Sequence, residues 1–237
     1  MEKVLFLVAF LFAYTIQAIT GFAGNLFAMP VGTSLLGLND TIAILNVMGV
    51  IACGGLAIFN YKHINWKEFG KIVGVMIVFL FVGIWLDTVI PLPVLLRIYG
   101  IIVIFVGVKN YFFPSKKDLP EWSLWVVLVV AGLIQGMFVS GGAFLVIYAV
   151  QKIKDKQQFR ITLLAVWGVL NFIYSIFAFQ AGYFTQDVWY IILFAIPLAF
   201  ISMALGNVLQ KKISPEKFLK FVYFLLVIIG IILLVTA

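Results

Sequence analysis

Residues 17–30 read Gln-Ala-Ile-Thr-Gly-Phe-Ala-Gly-Asn-Leu-Phe-Ala-Met-Pro and lie inside a long apolar region. Two glycines, two flanking amides, a threonine and a proline interrupt a sequence that would otherwise form one continuous apolar helix. In lipid, an unpaired backbone group costs several kcal/mol, so a broken helix is tolerated only where protein or a polar cavity surrounds it. This stretch therefore predicts a membrane helix that is interrupted at a functional position.

The same pattern recurs in residues 135–148, which read Gln-Gly-Met-Phe-Val-Ser-Gly-Gly-Ala-Phe-Leu-Val-Ile-Tyr. Gln135 follows Gln17 by 118 residues, and near the ends of the two halves Gly230 follows Gly107 by 123 residues. A duplicated unit with a few small insertions explains this slow drift. Interrupted segments at corresponding positions of two halves are the best sequence pointer to the binding site of a transporter.

The composition is that of an integral membrane protein. Of the 237 residues, 65% are hydrophobic and 11% are charged, whereas a soluble domain is nearer half apolar and a quarter charged. The net charge of +7 comes from basic residues in short loops, as the positive-inside rule expects, and does not indicate nucleic-acid binding. Cys53 is the only cysteine, which excludes an intrachain disulfide and a thiolate metal site.

Breaks in the hydrophobicity predict ten helical segments, with ends uncertain by roughly two to four residues. These segments are 4–20, 24–38, 41–60, 69–90, 93–113, 122–138, 142–151, 160–181, 188–209 and 215–236. A full crossing needs about 20 residues, so the short segments beside the glycines are expected to be half-membrane helices. We predict a first membrane repeat at 1–115 and a second at 116–237, which together form one transport domain.

Four basic loops indicate the topology. They lie at 62–71, 116–117, 152–160 and 211–220, after the third, fifth, seventh and ninth segments, so they share one side of the membrane. The positive-inside rule assigns that side to the cytoplasm. Because each half has an odd number of segments, the halves are inverted. The predicted fold is an all-α integral membrane protein with two inverted-topology repeats of five helical segments each and broken half-helices at two glycine-rich motifs.

The two breaks are expected to form an anion site. A helix that begins after each break would point free N–H groups, and about half a positive charge, at the membrane interior. Two such helix ends meeting near the midplane would make a positive pocket without any lysine or arginine in the bilayer. The predicted substrate-binding residues are Gln17, Thr20, Gly21, Phe22, Gly24, Asn25, Asn46, Gln135, Ser140, Gly141, Gly142 and Asn171. Close helix packing is the alternative role for the glycines, and a bond to a neighbouring helix is the alternative for Asn46 and Asn171.

Other chemistry is not indicated. No charged residue lies at the centre of a predicted segment, so the sequence does not predict a carboxylate proton relay. There is no nucleotide-binding glycine loop, no His/Glu metal pair and no Ser/His/Asp set. We therefore predict no catalytic residue, no metal ligand and no cofactor, and interpret the chain as a protein that is not an enzyme. Trp167 lies mid-segment and is interpreted as packing, with a wall of the pathway as the alternative.

The segment Gly21-Phe22-Ala23-Gly24-Asn25, with Pro30, resembles the first glycine-rich motif of the TauE/SafE family of sulfite exporter-like membrane permeases. Ser140-Gly141-Gly142 resembles its second motif, and the resemblance extends from about Val4 to Val235. It implies transport of a small sulfur-containing anion such as sulfite or an organosulfonate. Asn25 and Ala143 stand where a further glycine is typical, and Tyr148 stands in place of a proline, so the identity of the anion stays open.

These features predict a secondary transporter or permease, a multi-pass protein of the cytoplasmic membrane that moves a small anion by alternating access around a midplane site. One alternative is an anion channel or facilitator with the same pocket but no alternation. Another is a membrane scaffold without transport. The expected partners are a small sulfur-containing or organic anion and membrane lipid, with no nucleic acid, and a homo-oligomer is an open alternative. The direction of transport and the coupling ion also stay open.

Overall fold

The structure is a computed structural model that describes residues 1–87, 97, 100–101, 104–105, 107–109, 111–112, 119–139 and 141–236. The described residues are helical almost throughout and contain no β-strand, which confirms the all-α prediction. Most of the predicted fifth segment at 93–113, most of the join between the predicted repeats and Ser140 lie outside the described residues.

The helices of the first half begin and end close to their predicted bounds. They are α1 (Glu2–Thr20), α2 (Gly24–Leu36), α3 (Leu38–Gly49), α4 (Gly55–Phe59) and α5 (Trp66–Asp87). A π-helical turn at Val50–Gly54 joins α3 to α4, so that Leu38–Phe59 forms one apolar helix of 22 residues. A 3-10 turn at Tyr61–His63 precedes α5.

The helices of the second half follow the same succession of long and short helices as those of the first half. They are α6 (Glu121–Phe138), α7 (Gly142–Lys152), α8 (Lys156–Gln180), α9 (Gln186–Lys211) and α10 (Pro215–Thr236). Both glycine-rich stretches interrupt the helices where the sequence predicts, between α1 and α2 and between α6 and α7. The start of α8 differs from the prediction, because the Asp155 side chain accepts a hydrogen bond from the Gln158 N–H at 2.7 Å and caps the helix four residues before 160.

Helix length separates spanning from shorter helices. Among the described residues, five helices are long and apolar enough to cross a membrane: Glu2–Thr20, Leu38–Phe59, Trp66–Leu86, Lys156–Gln180 and Gln186–Lys211. By contrast, α2 and α7 have 13 and 11 residues. At 1.5 Å per residue they are about 20 and about 17 Å long, well short of the roughly 30 Å hydrocarbon core.

The chain divides into two compact units, and each is built from two separate pieces of sequence. The first unit comprises Met1–Gly74 and Ile153–Lys212, and the second comprises Val75–Lys152 and Ile213–Ala237. Each unit therefore combines helices from both predicted repeats. The predicted boundary near residue 115 divides the chain by its sequence repeat, whereas the two units divide it by contacts. The repeat boundary therefore stays a prediction.

In the first unit, α1 runs parallel to α9. Lys3 Nζ lies 3.0 Å from Asp187 Oδ1 at the start of both helices. Near their ends, a Cβ atom on Gly206 would lie only 2.3 Å from the Cβ atom of Ala18. The glycine therefore lets the two helices approach closely, which is how membrane helices without a hydrophobic driving force gain packing energy.

The helix pair α3 and α8 packs antiparallel in the same unit. A Cβ atom on Gly168 would lie 3.0 Å from the Cα atom of Gly54, the last residue of the π-helical turn. Farther along, a Cβ atom on Gly49 would lie 2.0 Å from Nδ2 of Asn171. Two small residues thus bring an amide side chain of α8 directly against the backbone of α3.

The basic segments that belong to the first unit lie together at one of its ends. Lys156 Nζ donates a hydrogen bond to the Gln210 carbonyl oxygen at 2.5 Å, and the Asn65 N–H donates to Thr162 Oγ1 at 2.9 Å. These bonds bring the start of α8 to the end of α9 and to the loop before α5. The positive-inside rule assigns this end to the cytoplasm.

In the second unit, glycines of α6 face the backbone of α5. A Cβ atom on Gly136 would lie 2.1 Å from the Leu80 carbonyl oxygen, and one on Gly132 would lie 2.8 Å from the Cβ atom of Phe79. The backbones of α5 and α6 therefore approach as closely as those of α1 and α9 in the first unit.

The described part of the fifth segment packs on α10 in the same unit. A Cβ atom on Gly107 would lie 3.0 Å from the backbone nitrogen of Val227 and 2.8 Å from its Cγ2 atom. A Cβ atom on Gly230 would lie 3.0 Å from the backbone nitrogen of Ile104 and 2.5 Å from its Cγ1 atom. The order of these contacts along the chain makes the two segments antiparallel.

We expect Gly206→Ala to lower the free energy of unfolding by about 1–3 kcal/mol, the usual cost of overpacking a tight contact. Gly74→Ala is the matched control, because no atom lies within 4 Å of a Cβ atom at Gly74. The control should gain about 0.5–1 kcal/mol, because alanine loses less backbone entropy than glycine in a helix. Unfolding of the detergent-solubilised variants measures both changes, and a Gly206→Ala variant as stable as Gly74→Ala would contradict the packing of α1 on α9.

Candidate functional site

The first helix break begins with a left-handed glycine. Gly21 has φ 90° and ψ −2°, and its N–H donates a hydrogen bond to the Gln17 carbonyl oxygen at 2.7 Å. A Cβ atom on Gly21 would lie 2.9 Å from the Arg160 carbonyl oxygen. Glycine is therefore required here for two reasons, the positive φ and the approach of the α8 backbone.

The Gln17 side chain connects the two sides of this break. Its Oε1 atom accepts a hydrogen bond from the N–H of Gly24, the first residue of α2, while Nε2 donates to Cys53 Sγ at 3.2 Å. The residue at the N-cap position, Ala23, has no side-chain acceptor. The start of a helix leaves backbone N–H groups without partners, and Gln17 satisfies one of them from the preceding helix.

The second break is closed by the same arrangement. The Val139 N–H donates a hydrogen bond to the Gln135 carbonyl oxygen at 3.0 Å, and the Gly141 N–H donates to Gln135 Oε1 at 3.1 Å. The Nε2 atom of Gln135 is buried without a partner in the described part of the chain. Gln17 and Gln135 therefore each accept a backbone hydrogen bond across a break, whereas the sequence analysis predicted them only as substrate-binding residues.

A valine replaces glycine at the bend of the second break. Val139 has φ 53°, and it is the one non-glycine residue with positive φ in the described ranges. A left-handed conformation costs a non-glycine residue about 1–2 kcal/mol, and a β-branched residue in it is a genuine outlier. Strain of this kind persists where the surrounding structure imposes it, and it is concentrated at functional positions.

The other predicted residues of the first break shape it locally. Thr20 Oγ1 donates to the Ile16 carbonyl oxygen at 2.8 Å and accepts a hydrogen bond from the Phe22 N–H at 3.4 Å. The Phe22 side chain is buried. The Tyr14 hydroxyl lies 3.0 Å from Asn25 Oδ1 and fixes that amide at the start of α2. Thr20 and Asn25 are thus engaged in intramolecular bonds at the break.

Asn46 and Asn171 lie on the facing helices α3 and α8, and both are fully buried. Asn46 Nδ2 donates to the Ile42 carbonyl oxygen at 2.8 Å, whereas the Oδ1 atoms of both asparagines have no partner in the described part of the chain. The Nε1 atom of Trp167, one turn from Asn171, is also buried without a partner. Each such group costs about 1–3 kcal/mol. Asn171 lies against Gly49, which directly precedes the π-helical turn, and such turns are frequent at functional sites.

At the second break, Gly142 begins α7 as predicted, and Ser140 lies outside the described residues. A Cβ atom on Gly141 would lie 2.2 Å from the Ala131 carbonyl oxygen. This glycine is therefore a close backbone contact, and its N–H is directed to Gln135.

Sequence analysis missed Arg160, which it placed in a basic loop. The residue lies in the second turn of α8 with 0% of its surface exposed. Its Nε donates to the Ala18 carbonyl oxygen and one terminal nitrogen, Nη2, donates to Asn207 Oδ1 at 2.6 Å. The first break therefore lies beside a buried cation, which corrects the expectation of a pocket without arginine or lysine.

A sequence profile of the family described as "Sulfite exporter TauE/SafE" matches residues 5–233. The chain belongs to the TauE/SafE family. This confirms the resemblance carried by the two glycine-rich motifs. The chain is also 25% identical, over 196 residues and 80% of each chain, to "Probable inner membrane transporter protein TsaS" of Comamonas testosteroni. No solved structure matches the chain.

Membership of the TauE/SafE family settles the class of the protein. Together with the apolar helices, it makes this chain a multi-pass transporter of the cell membrane and not an enzyme. The helix breaks are then features of a transport protein.

We expect Gly21→Ala to destabilise the protein more than Gly182→Ala. Both glycines have positive φ, so alanine costs about 1–2 kcal/mol at either position. Only Gly21 adds a contact with the Arg160 carbonyl oxygen, because no atom lies within 4 Å of a Cβ atom at Gly182. The difference between the two free energies of unfolding isolates this contact, and equal losses would contradict it.

Proposed function

We propose that this TauE/SafE protein is a secondary transporter that moves a small sulfur-containing anion, sulfite or an organosulfonate, across the cytoplasmic membrane and binds it at the first glycine break. The observation that carries the proposal is the buried start of α2, where Gly24 donates a hydrogen bond to the neutral Gln17 amide. The family description and the name of the relative, an inner membrane transporter, support the same function.

The break lies in the basic half of the first unit. Gln17 contacts Cys53, and the next residue, Gly54, packs against Gly168, halfway along α8. Gly21 contacts Arg160, nearer the basic end of the same helix. The break thus lies between the middle of the unit and its basic end, far from the Lys3–Asp187 pair at the opposite end.

The chemistry at the break suits an oxyanion. A helix start offers N–H donors and a partial positive charge, which favour sulfite, sulfonate and similar groups. Gln17 Oε1 occupies an acceptor position at the Gly24 N–H that an anion oxygen can also take. Exchange of one acceptor for the other would leave the Gln17 amide free to turn and present its NH2 group to the same anion.

Alternating access is supported by signs of an inverted repeat at 1–115 and 116–237. Gly107 packs against the backbone nitrogen and a γ-carbon of Val227, and Gly230 packs against the backbone nitrogen and a γ-carbon of Ile104. Because Gly230 and Val227 follow Gly107 and Ile104 by 123 residues each, one contact becomes the other when the two segments are exchanged. Antiparallel segments related in this way have a two-fold axis perpendicular to them, the symmetry of inverted repeats.

The glutamine that accepts a backbone hydrogen bond at each break supports the same duplication. The side chains of Gln17 and Gln135 each accept a hydrogen bond from a backbone N–H on the far side of a helix break. Four residues after each glutamine, at Gly21 and Val139, the backbone has a positive φ. In transporters with inverted repeats, one part of the protein rocks against another around a fixed site. We therefore assign alternating access rather than a permanently open pore to this chain.

We expect sulfite or an organosulfonate to raise the thermal stability of the purified protein, because a ligand at 100 times its Kd stabilises the native state by about 2.7 kcal/mol. Gln17→Glu should abolish this increase. The glutamate keeps an acceptor for Gly24 but places a negative charge where the anion binds. Gln186→Glu, the same substitution at an exposed position of α9, is the matched control and should retain the increase.

Counterflow in liposomes separates the alternatives. A transporter that alternates should exchange labelled anion for unlabelled anion across the bilayer, whereas a channel should bind the anion without counterflow. Absence of stabilisation by sulfite, sulfate, thiosulfate, taurine and sulfoacetate would contradict the anion site and favour a scaffold. Stabilisation that survives Gln17→Glu would move the site away from the first break.

A further inference from the structure

We infer that Arg160 is the charged anchor of the transported anion, and that its free terminal nitrogen, Nη1, donates hydrogen bonds to the anion beside the first glycine break. The inference rests on the proposed transport of a small oxyanion and assigns to one residue the charge that holds it.

In the part of the chain that the structure describes, no carboxylate pairs with Arg160. The residue is fully buried, and the acceptors of its Nε and Nη2 atoms, Ala18 O and Asn207 Oδ1, are both neutral. Among the described residues, Nη1 has no hydrogen-bond partner, and none of the ion pairs includes Arg160. A buried charge without an opposite charge is costly, and within membrane segments such residues commonly mark ion or substrate pathways.

Local electrostatics also disfavour an arginine at this position. Arg160 lies in the second turn of α8, near the positive end of the helix dipole, where cations are unfavourable. Lys156, four residues earlier on the same face, adds a like charge at an unfavourable spacing. A residue that violates such local rules is more often found at a functional position.

The guanidinium lies against the break itself. Its Nε atom is bonded to the carbonyl oxygen of Ala18, in the last turn of α1, and the Arg160 backbone contacts Gly21. Since Nε and Nη1 belong to one rigid plane, Nη1 lies within a few ångströms of the same turn. Three residues, Gly21–Ala23, separate this turn of α1 from the start of α2.

The two existing bonds make the free nitrogen a fixed donor. Ala18 and Asn207 hold the plane of the guanidinium, so the two N–H groups of Nη1 are oriented before an anion binds. Arginine recognises oxyanions by such fixed, charge-assisted hydrogen bonds. Sulfite and sulfonate groups carry three oxygens each, enough to accept from Nη1 and from the α2 start together.

A purely structural role makes a different prediction. Cations near a helix C-terminus stabilise it, so Arg160 could serve only to cap α1 through Ala18. In that case, replacement of Arg160 would lower the stability of the protein without changing its affinity for anions. Affinity and stability must therefore be measured separately.

The experiment measures the Kd of the purified full-length protein for the anion that stabilises the wild type, together with the melting temperature of each variant without anion. We expect Arg160→Gln to raise Kd by about tenfold to a hundredfold, as for removal of a buried charged hydrogen-bond partner. Arg160→Lys keeps the positive charge but loses the planar set of guanidinium N–H donors, and it should raise Kd less than Arg160→Gln does. Lys212→Gln, which removes an exposed charge at the end of α9, should leave Kd unchanged.

The outcomes separate the inference from the proposed function. If the wild type binds an anion and Arg160→Gln binds it equally well, the inference is wrong and the anion transporter stands. If the wild type binds none of the anions, both are wrong. Should Arg160→Gln fail to fold, Asn207→Ala tests the same point, because it releases the guanidinium without removing its charge. This variant should raise Kd about threefold to tenfold, the loss of a single hydrogen bond, and an unchanged Kd would overturn the inference.

Discussion

The structure depends on the need to satisfy backbone N–H groups where a helix is broken inside an apolar protein. Water is not available there, and an unpaired group costs several kcal/mol. Gln17 and Gln135 meet this need by accepting hydrogen bonds from the first residues after each break. A neutral amide can satisfy a helix start and still be replaced by a ligand, and the proposed anion site depends on this exchange.

The neutral hydrogen-bond donors and the buried positive charge of the first unit come from different helices. The α1–α2 connection supplies neutral donors, whereas α8 supplies the buried guanidinium of Arg160. The small residues Gly21 and Gly206 let α8 and α9 reach the end of α1. Close packing and the position of the cation are thus connected, because Gly21, which lets α8 approach the end of α1, also brings Arg160 to the break.

Local features of the sequence predicted the breaks, the order of the helices and the family, since glycines, prolines and amides act on the backbone nearest to them. Features that depend on distant partners could not be predicted in this way. Arg160 looks like one more basic loop residue until its contacts with Ala18 and Asn207 are known, and these lie 142 and 47 residues away. The capping Asp155 was the available signal that α8 begins at Lys156 and places Arg160 in its second turn.

The discontinuous first unit has a consequence for biosynthesis. Its pieces are Met1–Gly74 and Ile153–Lys212, so α1 and α2 enter the membrane long before α8 and α9 exist. At about 5–20 residues per second, the ribosome needs roughly 10–40 s to extend the chain from the end of α1 to the end of α9. During that interval the end of α1 lacks the arginine and the glycine that later enclose it. The nascent chain therefore has to keep an interrupted helix in the bilayer, or in the insertion machinery, without its final neighbours.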